Sequence, residues 1–215
     1  MKKNGFTFLE IIFVIVAISV FVAVLSPKVF DYVEEARNSK VKLDLDRIVL
    51  VFTNFQWDTK LLPHSNGVLE NDQSLDIMFL GKPGDLPQDN QWGDWKIEAI
   101  KKETNFLRRD LFLNHFMYND PNDNGIYGDK GDYKFASIST ENGWKGPYFD
   151  SPEVKQDPWG SAYMISFFTT HDGRLMCKAV SAGPNKKLEI KPFAWVDEEE
   201  ILKNSDDYIK YFQKF

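Results

Sequence analysis

The hydrophobic pattern divides the chain into an N-terminal apolar run and a longer region of mixed character. From Phe6 to Leu25 the only charged residue is Glu10, and Lys2 and Lys3 precede the run. About 20 apolar residues in a helix cover the roughly 30 Å hydrocarbon core of a bilayer. The run therefore predicts a single membrane-spanning helix, with the two lysines in the cytoplasm and the rest of the chain outside.

The charge inside this run marks a candidate functional residue. A carboxylate at the centre of a membrane helix costs about 2.5–3.5 kcal/mol on insertion scales. Glu10 is therefore expected to have a partner or a shallow position. A plain membrane anchor gives Glu10 no role. A secretory signal peptide fits poorly, because the segment 23–27 (Ala-Val-Leu-Ser-Pro) is not a good small-residue cleavage site.

After Pro27 the pattern becomes that of an amphipathic helix. Pro27 lacks an N–H and is expected to kink or loosen the helix locally. Apolar residues then recur at a spacing of three to five: Val29, Val33, Ala36, Val41, Leu45, Ile48, Phe52 and Phe55. This spacing follows one helical face. We therefore expect the helix to leave the membrane and to pack one stripe against a domain.

The second half of the chain predicts a small antiparallel sheet. The segments 162–169 and 175–180 flank Asp172-Gly173, a hairpin turn signal. Alternation along the second segment makes Cys177 a core residue. Further predicted elements are a short helix or strand at 75–80, a strand at 95–100, a helix at 105–118, and one or two amphipathic helical turns at 206–212. The last segment either packs on the sheet or contacts a partner.

Composition narrows the classes of function. The 215 residues carry a formal net charge of −6, which argues against nucleic acid as the main partner. Cys177 is the only cysteine, so no intrachain disulfide forms. The sequence contains no evident nucleophile–base pair, phosphate-binding glycine loop or zinc-ligand cluster. We therefore predict no enzymatic activity.

An acidic segment at residues 120–132 resembles part of a calcium-binding loop. Its candidate ligands are Asp120, Asn122, Asn124, Asp129 and Asp132. Oxygen side chains at alternate positions followed by Gly125 suit a hard cation, because the glycine permits a sharp turn. However, the twelfth position of the loop is Gly131 rather than an acid. An Asx- and Gly-rich surface turn explains the same residues, so both interpretations stay open.

The N-terminal residues 3–10, Lys-Asn-Gly-Phe-Thr-Phe-Leu-Glu, resemble the prepilin signal of type IV pilins and type II secretion pseudopilins. The resemblance implies that a prepilin peptidase cuts between Gly5 and Phe6, and that Phe6 is then N-methylated. It also implies that Glu10 neutralises the terminal ammonium of a neighbouring subunit during assembly. Elementary electrostatics agrees, because the two charges attract strongly in a low dielectric and are costly there alone.

Three later motifs extend the resemblance to the head of major pseudopilins of type II secretion systems. They are Trp-Lys-Gly-Pro-Tyr at 144–148, Asp-Pro-Trp-Gly at 157–160 and Ser-Ala-Gly-Pro-Asn at 181–185. The resemblance implies an α+β, pilin-like fold, in which a long N-terminal helix packs on a small antiparallel sheet. It divides the chain into a leader (1–5), a transmembrane and assembly helix (6–27) and a head (28–215). The head would include a C-terminal extension from about residue 191.

The implied function is that of a filament subunit in a bacterial inner membrane, with its head in the periplasm. Its implied partners are the prepilin peptidase, other copies, minor pseudopilins and the inner-membrane assembly platform. Members of this family often bind calcium after the last common strand with several aspartates. This chain departs there, since Lys186 and Lys187 follow Asn185 and only Glu189 precedes Lys191. The acidic segment 120–132 is the alternative calcium site.

Two other functions fit the same sequence. A major or minor type IV pilus subunit shares the whole N-terminal pattern. A membrane-anchored, calcium-dependent binding module that does not polymerise would keep its leader uncleaved.

Overall fold

A computed structural model describes residues 6–61, 63, 77–91, 93–95, 97, 112–120, 133, 142–149, 156–169, 172, 175–193 and 205–213. Within these ranges the elements are helix α1 (Phe8–Thr59) and strands β1 (Ile77–Leu80), β2 (Tyr163–Thr169), β3 (Leu175–Ser181) and β4 (Tyr208–Gln213). Two short helical segments cover Pro83–Asp85 and Asn114–Tyr118. One long helix with a small antiparallel sheet confirms the predicted α+β class.

Helix α1 contributes to two compact units, residues 1–40 and 41–215. In the first unit, the most apolar 18-residue window of the helix has no buried residue. By length and composition this helix can cross a membrane, two properties that it shares with an N-terminal signal sequence. The helix continues through Pro27 rather than ending there.

In the second unit, α1 buries one face in the core. The buried apolar residues of this face are Val41, Leu45, Ile48, Val51, Phe52 and Phe55. The predicted stripe is therefore confirmed from Val41 onward. It is wrong for Val29, Val33 and Ala36, which are exposed, because in the first unit α1 has no other described element to pack against.

The four strands form one antiparallel sheet in the order β1-β2-β3-β4. Phe167 pairs with Cys177, and Thr169 pairs with Leu175, as the predicted hairpin requires. Alternate side chains point to opposite faces of a strand. One face packs with α1 and includes Ile165, Cys177 and Ala179. The other face packs against residues outside the sheet, among them Trp95, Leu188 and Ile190. Both faces of the sheet are therefore covered.

The C-terminal strand corrects one prediction. Residues 206–212 were expected to form helical turns, but Tyr208–Gln213 pairs with β3 along its whole length, from Ser181↔Tyr208 to Met176↔Gln213. The helical prediction is wrong. One edge of β3 pairs with β2, and β4 supplies hydrogen-bond partners for the backbone groups on its other edge. This pairing decides the structure of the segment, although a few of its apolar residues have helical spacing.

Three further predictions met different outcomes. The expected strand at 95–100 is wrong where it can be compared, because Trp95 lies in a turn and Ile97 is helical; its other residues lie outside the described part. The expected helix at 105–118 is confirmed from Phe112 to Tyr118, although Asn114–Tyr118 is a π-helical turn. The predicted element at 75–80 contains strand β1.

Aromatic packing and one buried hydrogen bond fix α1 on the sheet. The Phe52 ring lies 4.5 Å from Phe116, 5.5 Å from Phe167 and 5.1 Å from Phe212, measured between centroids. Beside this cluster, the Tyr163 hydroxyl donates to Asp44 Oδ2 at 2.8 Å, and both residues are buried. The helix is thus joined to β2 and β4 by apolar contact, and to β2 by a specific polar contact.

Candidate functional sites: the helix start and the motif junction

The start of α1 is a capping box formed by two residues. Glu10 Oε2 accepts hydrogen bonds from the Thr7 backbone N–H at 2.7 Å and from the Thr7 hydroxyl at 2.8 Å. In return, Thr7 Oγ1 accepts the Glu10 N–H at 3.3 Å. This reciprocal arrangement satisfies N–H groups that a helix start leaves without partners. Phe6 is 85% exposed, and Gly5 lies outside the described residues.

The capping box gives Glu10 a structural role that the sequence reasoning missed. The signal was available, because Thr7-Phe8-Leu9-Glu10 has the Thr-x-x-Glu spacing of a capping box. Both bonds from Thr7 end on Oε2. The second carboxylate oxygen, Oε1, has no donor among the described residues. Glu10 can therefore cap its own helix and still accept a cation.

The motif at 144–148 joins the end of α1 to the short helical segment 114–118. The Tyr148 N–H donates to the Phe116 carbonyl at 2.8 Å, and Trp144 Nε1 donates to the His115 carbonyl at 3.4 Å. On the other side, Lys145 Nζ lies 2.9 Å from Asp58 Oδ1 of α1. This motif therefore connects α1 to the helical segment 114–118. His115 is buried and its Nδ1 lies 2.7 Å from the Tyr133 hydroxyl, as expected of a packed helix residue rather than a metal ligand.

The motif at 157–160 is a turn built around one buried carboxylate. Asp157 Oδ1 accepts the N–H groups of Trp159 at 3.0 Å and Ser161 at 2.8 Å. The Gly160 N–H closes the turn on the Asp157 carbonyl at 3.0 Å. Burial raises the pKa of Asp157, and the hydrogen bonds that its carboxylate accepts oppose this rise. The turn leads directly into a strand, since β2 begins at Tyr163.

The motif at 181–185 is bonded directly to that turn. Ser181 donates its hydroxyl to Asp157 Oδ2 at 2.7 Å and accepts the Gly183 N–H at 3.2 Å. Gly183 has φ of +62°, and a Cβ there would clash with the Asp206 carbonyl oxygen. The Trp159 ring stacks on Tyr208 at 5.5 Å. We call the three segments 157–161, 181–185 and 206–208 the motif junction.

The acidic residues of the motif junction and its loop bind the chain's own N–H groups. Glu189 accepts from the Asn185 side-chain amide and from the Asp206 N–H, each at 3.2 Å. Asp206 Oδ2 accepts the Asn185 N–H at 3.1 Å. Asp207 Oδ2 accepts the N–H groups of Glu189 at 2.8 Å and Ile190 at 3.1 Å. These carboxylates therefore connect the loop 185–190 to residues 206 and 207.

No metal-binding arrangement of three His, Cys, Asp or Glu residues occurs in the part of the chain that the structure describes. Of the candidate calcium ligands, Asp120 is buried and its N–H donates to the Asn114 carbonyl at 2.8 Å. Asn122, Asn124, Asp129 and Asp132 lie outside the described residues. The Asn119 side chain pairs with the backbone of Tyr133 at 3.0 and 3.1 Å, which holds together the two residues that bracket segment 120–132. Calcium binding stays a prediction.

Two buried charged side chains, Lys178 and Asp207, form hydrogen bonds with the segment 189–191, which lies between β3 and β4 in the chain. Lys178 is fully buried in β3, donates to the Lys191 carbonyl, and lies 5.3 Å from the centroid of the Phe168 ring. Burial lowers the pKa of Lys178 to about 7, and the charge of Asp207 opposes this. Burial also raises the pKa of Asp207 to about 7. The hydrogen bonds that its carboxylate accepts from backbone N–H groups act in the opposite direction and lower this pKa. Both side chains therefore bind the same segment, residues 189–191, and both titrate near neutrality.

The lone cysteine is a core residue. Cys177 is 2% exposed and packs on the α1 side of the sheet, as predicted. Burial raises the pKa of its thiol well above the ordinary value. A buried thiol with a raised pKa is unreactive.

No protein-family model, curated protein or solved structure matches this chain.

The motif junction predicts an unequal response of two glycines to alanine. Gly183 and Gly93 both have positive φ, of 62° and 69°, but only Gly183 would place a Cβ against another chain segment. We expect Gly93→Ala to cost about 1–2 kcal/mol from backbone strain alone. Gly183→Ala should cost clearly more, because Asp206 must move. Thermal unfolding of both full-length variants measures the difference, and equal losses would contradict a close approach at Gly183.

The buried carboxylate of Asp207 predicts a pH dependence of stability. Its pKa is higher in the folded chain than in the unfolded one, so the folded chain binds more protons between about pH 4 and pH 7. The free energy of unfolding should therefore fall as pH rises through this window, by at most about 1.4 kcal/mol per pH unit. Asp207→Asn should reduce this slope, and Asp157, whose pKa burial also raises, contributes to the part that remains. Denaturant unfolding at pH 5 and pH 7 measures it.

Asn90→Ala is the matched control for Asp207→Asn. Asn90 Nδ2 donates to the Ile190 carbonyl at 3.3 Å, so its removal loosens the same segment without removing a titrating group. This variant should be destabilised but should keep the wild-type slope. If Asp207→Asn also keeps that slope, the raised pKa of Asp207 is refuted.

Proposed function

We propose that this chain is a structural filament subunit, a pseudopilin of a type II secretion system with a pilin-like fold. The observation that carries the proposal is the two-part character of α1. From Phe8 to Leu25 its side chains are exposed and uncharged except for Glu10. From Val41 to Thr59 one of its faces belongs to the core of a folded domain. A subunit held in a membrane before assembly and in a filament afterwards needs both parts.

The exposed apolar part requires cover from lipid or from other helices. Among its large side chains Phe8 is 81% exposed, Phe13 66% and Phe21 68%. A contiguous apolar surface of this kind is not left in water by soluble proteins. Lipid covers it while the subunit lies in the bacterial inner membrane, with the head in the periplasm. Helices of neighbouring copies cover it in the filament.

Glu10 supplies the polar contact for assembly. Cleavage between Gly5 and Phe6 by a prepilin peptidase creates a new ammonium group, which is then methylated. In the filament this ammonium lies against Glu10 of a neighbouring copy. The capping box occupies Oε2 of Glu10, which leaves Oε1 for the incoming cation. The pairing is favourable because each charge alone is costly in a low dielectric.

The role of the head is mechanical. The motif at 144–148 braces two helical elements, and Asp157 binds two segments of the sheet region through Ser161 and Ser181. Buried polar groups whose hydrogen bonds are satisfied in this way make a structure rigid. The remaining partners are minor pseudopilins and the inner-membrane assembly platform. A type IV pilus subunit shares the features of α1, and an anchored binding module would lack the cleavage.

The intact mass of the protein recovered from its native membrane tests the proposal. We expect a mass that lacks residues 1–5 and carries one additional methyl group on Phe6. A full-length mass, or a cut beyond Leu25, would overturn it and favour an anchored binding module.

The two roles of Glu10 predict different results for two neighbouring variants. Glu10→Ala removes both the capping bonds and the assembly charge, so filaments should be lost although cleavage continues. Thr7→Ala removes only the two capping bonds made by the Thr7 hydroxyl and keeps the Glu10 carboxylate. It should therefore weaken the helix start by about 1 kcal/mol and still assemble. Filament yield and N-terminal processing in cells are the readouts. Normal filaments from Glu10→Ala would contradict the assembly role.

A further inference from the structure

The segment 186–193, which we call the strap, covers part of the sheet face opposite α1. Leu188 and Ile190 of the strap are buried. They belong to the same apolar cluster as Met164 of β2 and Val180 of β3. Removal of the strap would therefore bring apolar side chains of both strands into contact with water.

The strap is held mainly by side chains that bind its backbone. The Ile190 carbonyl accepts a hydrogen bond from Trp95 Nε1 at 2.8 Å. The Pro192 carbonyl accepts one from Ser166 Oγ at 2.6 Å. Among the described residues, the β-pairing of the strap is one isolated bridge, at Lys187, rather than a ladder. A segment bound in this way can open locally while the strands of the sheet stay paired.

Two ionisable side chains bind the strap, and both are buried. Lys178 of β3 is 0% exposed and donates a hydrogen bond to the Lys191 carbonyl. Asp207 is 6% exposed and accepts the N–H groups of Glu189 and Ile190 at 2.8 and 3.1 Å. A basic and an acidic group thus hold three consecutive residues of the strap, and opening of the strap would bring both groups into contact with water.

Burial shifts the titrations of these two groups toward each other. The charged form of a buried group is disfavoured, so a buried carboxyl keeps its proton to higher pH and a buried ammonium loses its proton at lower pH. The pKa of Asp207 rises to about 7, and the pKa of Lys178 falls to about 7. Exposure to water restores the ordinary values of about 3.9 and 10.4. Each group therefore binds a different number of protons in the closed and open forms of the strap.

Burial is the largest influence on both groups, and their described neighbours do not reverse it. Asp207 and Cys177 favour the charged form of Lys178. The hydrogen bonds that Asp207 accepts favour its charged form, whereas the charge of Glu189 favours its neutral form. Two rings near the Lys178 ammonium also favour its charged form. They are Phe168 at 5.3 Å and Tyr211 at 6.0 Å, measured from Nζ to the ring centroid.

The proton counts of the closed and open forms give the sign of each effect. Between about pH 4 and pH 7 the closed form binds more protons, on Asp207, so opening becomes easier as pH rises. Between about pH 7 and pH 10 the open form binds more protons, on Lys178, so opening becomes harder as pH rises. The two effects meet near pH 7, where the closed form is least favoured.

We propose that the strap is a latch on the outer face of the sheet, held by Lys178 and Asp207, which opens most readily near neutral pH and is held more firmly in acid and in alkali. This inference goes beyond the proposed filament function and does not rest on it, because every group involved lies in the second unit. The outcome of its test is therefore independent of whether the chain assembles.

Hydrogen exchange of the full-length protein at about pH 5, 7 and 9, corrected for the intrinsic exchange rate of each amide, tests the latch. The amides of Glu189 and Ile190 should be least protected at pH 7, with protection rising by up to about tenfold per pH unit on either side. The amides of β2 and β3 should be better protected at every pH. Equal protection of strap and strands would mean that the strap opens only with the whole head, and this would overturn the latch, as would a profile without a minimum.

Single substitutions assign the two sides of this profile. Asp207→Asn should lose most of the rise toward pH 5 and keep the rise toward pH 9, and Lys178→Met should do the reverse. Lys178→Arg, which stays charged throughout this range, should also lose the rise toward pH 9 and replaces the Met variant if that variant does not fold. Asn90→Ala, which removes a bond to the Ile190 carbonyl, should lower protection at all three pH values and keep the minimum. A rise toward pH 9 that survives both Lys178 substitutions would refute the role of this lysine.

Discussion

The packing of one face of α1 against the sheet is the interaction on which the rest of the second unit depends. Phe52 contacts rings from the short helical segment and from β2 and β4. A buried aromatic of this size removes a large apolar area from water. Every element that surrounds Phe52 is therefore positioned by the helix. Asp44 adds direction to this contact, since a hydrogen bond to Tyr163 forms in one register only.

The same helix creates a conflict between burial and exposure. Its face toward the core is satisfied within the chain, while its outer face and its first 25 residues keep large apolar side chains in contact with the surroundings. Polar groups resolve the conflict locally. Thr7 and Glu10 satisfy each other's N–H groups at the helix start.

Local patterns allowed much of this fold to be predicted, and long-range contacts explain what was missed. Asp172-Gly173 and the alternation on either side of it were sufficient for the hairpin of β2 and β3, since both signals are local. By contrast, Tyr208-Ile209-Lys210-Tyr211-Phe212 fits a helix or a strand equally well, and only the free edge of β3 decides between them. Lys178 stands on the face that strand alternation would leave to water. It is buried because distant segments cover that face.

For the candidate sites the residues could be found from the sequence, but their contacts could not. The motifs at 157–160 and 181–185 were recognised separately, and no spacing rule indicates that Ser181 donates to Asp157. Gly183 is required by a carbonyl group 23 positions later in the chain, Asp206, which no local pattern contains. The capping box of Thr7 and Glu10 is the exception, because its spacing is local and readable.

The position of β4 has a consequence for how this protein is made. Phe212 stacks on Phe52, and Lys210 pairs with Asp46, so a strand near residue 210 completes a core that the helix began some 160 residues earlier. Contacts of such long sequence separation form late and slowly in folding. During synthesis the aromatic face of α1 must therefore wait, uncovered, until the chain has been extended through residue 213. Synthesis of β4 is therefore a condition for a closed head, so products truncated before β4 are distinguishable by their exposed aromatic surface.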